Sequence, residues 1–151
     1  MNIQIENRQK KFPPNRRQIR STLQKLLRHL GREDGELSVL LVDDEGIREI
    51  NRRFLNRDRP TNVISFAMTE GRHGDITPQL LGDIVISLEA AKREGEANGL
   101  TLSESIDFLL IHGLLHLLGY EHEGGKRGEA RRMEEKEDEL FFLLHHVYLE
   151  R

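Results

Sequence analysis

The chain contains no cysteine, so it can form no disulfide and offer no thiolate to a metal; histidine and carboxylate remain as its metal ligands. It also lacks any run of about 18 apolar residues, the length a membrane-spanning helix needs. The opening segment MNIQIENRQKKFPPNRR has none of the apolar stretch of a secretory signal, and the expectation is a cytoplasmic protein. Repeats, linkers and low-complexity tracts are missing too, so the 151 residues read as one domain, large enough for a normal core.

Charge is scarce only in the net. The total of −3 conceals a basic first part and an acidic second. Residues 1–60 hold 14 Lys and Arg against 9 Asp and Glu, a surplus of +5, and the remainder carries −8. Two arginine-rich sets, Arg16, Arg17, Arg20, Lys25, Arg28 and Arg48, Arg52, Arg53, Arg57, Arg59, are candidates for a phosphate-facing surface. Exposed arginines on amphipathic helices are also ordinary solvated faces, so charge alone does not decide for nucleic acid.

Periodicity supplies the elements. Ile3 and Ile5 alternate with polar neighbours, giving a strand over 2–7. Pro13, Pro14 and Asn15 open a helix whose Ile19, Leu23, Leu26, Leu27 and Leu30 recur at helical spacing, with Gly31 as its stop. ELSVLLV at 36–42 is too apolar for an edge and reads as a central strand. Asp43 or Asp44 caps a helix bearing Ile47, Ile50 and Phe54. Strands follow at 62–68 and 81–87, separated by the polar GRHGDITPQL loop, in which His73 reads as solvated. A helix over 88–98 ends near Gly99, an apolar helix starts at Thr101 or Ser103, and a last helix spans 128–148. On that last helix the run EEKEDE reads as a solvated face, and His145 and His146 as surface or packing residues. The expected fold is α+β: a single domain with one mixed sheet of about four strands flanked by helices, and a long central apolar helix carrying the site.

That site is the run HGLLHLLGYEH. His112, His116 and His122 stand in the pattern H-x-x-x-H-x-x-G-x-x-H. Residues four apart on a helix differ by about 40° and about 6 Å, so His112 and His116 can aim at one point. Gly119 allows the chain to turn back and bring in His122. Three imidazoles leave a fourth tetrahedral position for water, the mark of a catalytic rather than a structural zinc. Buried, hydrogen-bonded core histidines are the alternative, but three at ligand spacing favour metal. A three-imidazole set also suits nickel, copper or iron.

One missing residue redirects the function. Zinc proteases with this frame carry a glutamate after the first histidine as general base, and here that position is Gly113. Glu121 and Glu123, beside His122, are candidate replacements or solvated loop carboxylates. A metalloprotease is therefore the lesser alternative.

Three ordered blocks carry a family resemblance: His112 to His122, Pro60-Thr-Asn-Val-Ile-Ser-Phe66, and Leu81-Gly-Asp-Ile-Val-Ile-Ser87. Over nearly its whole length the chain resembles the YbeY family of bacterial endoribonucleases, also called rRNA maturation factors, with Glu121 in place of the family's aspartate. The resemblance implies a zinc-dependent single-strand endoribonuclease with Zn²⁺ on His112, His116 and His122, acting on rRNA precursors with the small ribosomal subunit and assembly factors as partners. It departs at Leu55, where the family usually has an arginine important for cleavage. Arg57 or Arg59 is then the expected catalytic replacement, with Arg53 a third candidate. A leucine there also keeps a second reading open, that of a ribosome-assembly binding factor whose metal is mainly structural.

Overall fold

A computed structural model describes residues 2–68, 79–120 and 127–146. Strand β1 (Asn2–Asn7) is followed by helix α1 (Arg16–His29), β2 (Glu36–Val42), α2 (Asp44–Leu55), β3 (Val63–Ala67), β4 (Leu80–Ser87), α3 (Leu88–Ala97), α4 (Leu102–Leu117) and α5 (Arg127–His145). The strands form one sheet in the order β1-β2-β4-β3, with β1, β2 and β4 parallel and β3 antiparallel on the far edge. The expected α+β fold with a mixed four-stranded sheet is thus the observed one, and ELSVLLV lies inside the sheet.

Local chemistry sets the helix starts. Asn15, Asp43, Ser87 and Thr101 each cap a helix by accepting a backbone N–H from its first turn. Of the paired choices left by the sequence, Asp43 and Thr101 are the caps. Thr101 forms a capping box with Glu104, whose side chain takes the Thr101 N–H at 2.9 Å; that bond holds the Glu104 carboxyl below its ordinary pKa.

The main core lies on one face of the sheet, where Val39, Leu41, Ile84 and Ile86 meet α1, α3, α4 and α5. On the other face α2 covers a smaller cluster of Val42, Ile47, Ile64 and Val85. Because α4 is buried on almost all sides, it is apolar all round instead of striped. No single helix among the described residues is long and apolar enough to cross a membrane.

Two close approaches fix how α4 and the far strands sit. Gly82 has φ +138, and a Cβ there would lie 2.1 Å from the Phe66 carbonyl oxygen across the β3–β4 pair, so only glycine fits. Gly113 faces the sheet, and a Cβ there would sit 2.8 Å from Ile84 Cγ2. The missing side chain lets α4 approach near enough for Ser65 Oγ to donate to the Gly113 carbonyl at 3.0 Å.

At the opposite end of the helix set, Asp107 is buried on α4. Thr22 Oγ1 of α1 donates to it at 3.1 Å, and His145 Nε2 of α5 lies 2.9 Å from its other oxygen. Burial pushes the Asp107 carboxyl up, against the opposing pull of His145 and Thr22. His145 is accordingly a packing residue, with its ring also against Phe141 at 4.7 Å. Replacing Asp107 with alanine is expected to cost about 3 kcal/mol, because it removes the group through which α4 holds both α1 and α5. Urea unfolding measures it, and a change below about 0.5 kcal/mol would show the cluster to be incidental.

Candidate active site

Helix α4 presents His112 and His116 on one face, one turn apart. Their Nε2 atoms lie 3.1 Å apart and their ring centroids 4.6 Å apart. Two imidazole nitrogens on one tetrahedral ion, each at about 2.0–2.1 Å, would be separated by about 3.3 Å, so the pair fits a shared metal after a shift of a few tenths of an ångström. Gly119, at φ +96, ends the helix and turns the chain, as its sequence position implied. His122 lies beyond it, outside the described residues, as do Glu121, Glu123 and His73. Among the described residues no set of three metal-binding side chains converges.

A residue that the sequence reading placed wrongly stands behind His112. Glu137 belongs to the EEKEDE run taken as a solvated face, yet its side chain is 2 % exposed and its Oε2 lies 2.9 Å from His112 Nδ1. With Glu137 accepting from Nδ1, the Nε2 of His112 is the ring nitrogen turned toward His116. This is the carboxylate–histidine arrangement that orients metal ligands. Its signal was in the sequence: Glu137 lies four residues after Met133 and four before Phe141, both fully buried, and so falls on the inward stripe of α5. The neighbouring members of the run, such as Glu135 and Glu139, are exposed as expected.

Facing the histidines across a cleft of about 650 Å³ is the loop between α2 and β3. Leu55, Arg57 and Arg59 line this cleft together with His112, His116 and the buried Asn51. The loop is shaped from below. Asn56 takes a left-handed conformation, φ +56, and ends α2; the Asn51 carbonyl accepts the Arg57 N–H at 3.2 Å, and Asn51 Nδ2 donates to the Arg59 carbonyl at 2.9 Å. The acid between the two arginines turns away from them. Asp58 binds Arg48 of α2 at 2.8 Å, and that hydrogen bond holds its carboxyl below the ordinary range. Neither Arg57 nor Arg59 makes an ion pair among the described residues, which leaves both cations available at the cleft. The sequence named these arginines and gave no hint of Asn51, whose role depends on backbone groups of a later loop.

A single mixed sheet, a histidine pair on its central helix and an arginine loop opposite define an α+β protein with a site suited to an anionic substrate. A family model described as Endoribonuclease YbeY matches residues 4–145, and the chain belongs to that family. Relatives bearing the name Endoribonuclease YbeY include one from Syntrophus aciditrophicus, 52% identical over 145 residues that cover 96% of this chain and 91% of the relative. Another, from Geobacter sulfurreducens, is 51% identical over 144 residues, covering 95% and 96%. The solution structure of a Thermotoga maritima protein matches with a TM-score of 0.64 at 24% identity, covering 93% of this chain and 87% of that one, and so shares the fold. The resemblance read from three sequence blocks is borne out.

Proposed function

We propose that this protein is a zinc-dependent endoribonuclease that cuts single-stranded RNA during rRNA maturation and ribosome quality control in the cytoplasm. The observation that carries the reading is the convergence of two imidazole nitrogens, 3.1 Å apart, with Arg57 and Arg59 on one cleft. Membership in the family and the names of its relatives supply the reaction class. His112 and His116, with His122 as third ligand, would hold the metal, which as a Lewis acid would lower the pKa of bound water and polarise a phosphoryl oxygen. Nickel, copper or iron on the same imidazoles is the competing occupancy, and elemental analysis of unsupplemented protein distinguishes them. Arg57 and Arg59 bind and orient the phosphate through guanidinium N–H groups, which match two phosphate oxygens at once. The partners that follow are rRNA precursors, the small ribosomal subunit and its assembly factors.

Leu55 favours a second reading. It occupies the helix end where the resemblance leads one to expect an arginine and lines the cleft as an apolar group, which supplies no charge to the phosphate, so binding without cleavage is the competing outcome. One experiment separates the two. Metal-loaded protein is incubated with single-stranded and structured RNA beside His116→Ala and Arg59→Ala variants. The expected result is cleavage of the single strand, lost in His116→Ala and reduced about 100-fold or more in Arg59→Ala or its Arg57→Ala counterpart. Equal cleavage by wild type and His116→Ala would trace the activity to a contaminant, and binding without cleavage would establish the assembly factor.

A further inference from the structure

Exposed cations on this protein are paired over much of its surface. Arg8, Lys11, Arg48, Arg52, Lys92 and Arg93 each sit within ion-pair distance of a carboxylate. Helix α1 is different. Its 14 residues, RRQIRSTLQKLLRH, contain no acid, and Arg16, Arg17, Arg20, Lys25 and Arg28 are all exposed. Arg20 donates to the Ile3 carbonyl, and none of the five makes an ion pair among the described residues.

The helix arranges them as a stripe. At about 100° per residue, Arg17 and Arg28 are eleven positions apart and differ in direction by only about 20°, with Arg20 and Lys25 flanking that line. The opposite side, Ile19, Leu23, Leu26 and Leu27, is buried in the core. Within the stripe Arg16 and Arg20, Arg17 and Arg20, and Lys25 and Arg28 stand three or four residues apart, where like charges repel, so it costs stability unless an anion meets it. It also sits away from the cleft. Helix α1 packs along β1 and α4, with Gln18 Nε2 donating to Ser103 Oγ at 2.7 Å, whereas the arginine loop leads into β3 on the other sheet edge. Four strands span about 15 Å, so a single extended polyanion can touch both regions.

We infer that the exposed face of α1 is a second RNA-binding surface, on which Arg17, Lys25 and Arg28 hold backbone phosphates of a strand whose other part lies in the cleft. The occupant rests on the proposed RNA reading; the charge argument for a polyanion does not. Such a surface gives affinity without sequence preference, because phosphates are the same at every nucleotide. It makes the enzyme favour long RNA over short oligomers.

The test uses the full chain in a His116→Ala background, so binding is measured without cleavage and stands even if the nuclease reading fails. Arg17→Gln, Lys25→Gln and Arg28→Gln are combined, and binding to a long uridine strand and to an oligomer of a few uridines is followed against salt. Each lost phosphate contact lowers the slope of log affinity against log salt by about 0.7, so the triple variant should lower it by about 2 for the long strand. The short oligomer should bind as before. Neutralising Arg8 and Lys92, which are already paired, should change neither, and a melting temperature of the triple variant no lower than that of its parent shows that the fold is intact. An unchanged slope for the long strand overturns the inference, and α1-dependent binding to phosphatidylserine vesicles without RNA binding overturns it in favour of a membrane surface.

Discussion

Gly113→Glu, which restores on paper the base of a zinc protease, is expected to break the protein apart rather than convert it. The Cβ alone would lie 2.8 Å from Ile84 Cγ2, 3.3 Å from Ile84 Cγ1 and 3.2 Å from Ser65 Oγ. Ile84 is fully buried in the main core, so it has nowhere to move. Alanine at this position would gain about 1 kcal/mol of helix propensity, but overpacking costs about 1–3 kcal/mol and wins or balances. Glutamate adds a longer, charged side chain beside the buried Ile84, and that lifts the total past about 4 kcal/mol. A domain near the lower end of the usual range of about 5–15 kcal/mol loses most of its stability. Urea unfolding of Gly113→Ala and Gly113→Glu checks the ordering, and a peptide-library digest checks the chemistry. A Gly113→Glu protein of native stability that cleaves peptides would sink this account of why the position is glycine.

The sequence showed that Gly113 lacks a base; it could not show that a side chain has no room there. That second fact belongs to Ile84 and Ser65, on two other strands. The same division runs through the molecule. Strands, caps and the turn at Gly119 were legible because their causes are local: alternation, an acceptor before a first turn, a residue tolerant of positive φ. His112 and His116 were legible for the same reason, being one helical turn apart. Asn51 holds the Arg59 carbonyl from eight residues away and His145 meets Asp107 from 38, and no local pattern announces either. Charge misled at EEKEDE, because a run of acids is read as one face although a helix turns each member in a different direction. The split of charge between the two parts of the chain was visible from composition, but only ion pairs in the fold separate the compensated arginines from those on α1 and at the cleft.

Glu137→Gln is expected to weaken zinc binding by about 10- to 100-fold while leaving the metal-free protein nearly as stable as before. The two effects have separate causes. Glutamine keeps the shape and can still accept the His112 Nδ1 proton, so the 2.9 Å contact survives as a neutral hydrogen bond. What disappears is the negative charge that makes the imidazole a better electron donor and favours the tautomer with Nε2 free. In the metal-free protein that same charge is buried, its side chain only 2 % exposed, and its removal relieves desolvation as much as it loses attraction to the ring. Glu137→Asp, with the carboxylate drawn back by one methylene, should fall between wild type and glutamine in affinity. Chelator competition reads the zinc affinity and urea unfolding in excess chelator reads the fold. A residue that merely packs would show the opposite split, a less stable metal-free protein with unchanged affinity, and that result would remove Glu137 from the site. The expected split instead makes Glu137, from the middle of α5, part of the environment of the proposed metal through its contact with the His112 ring.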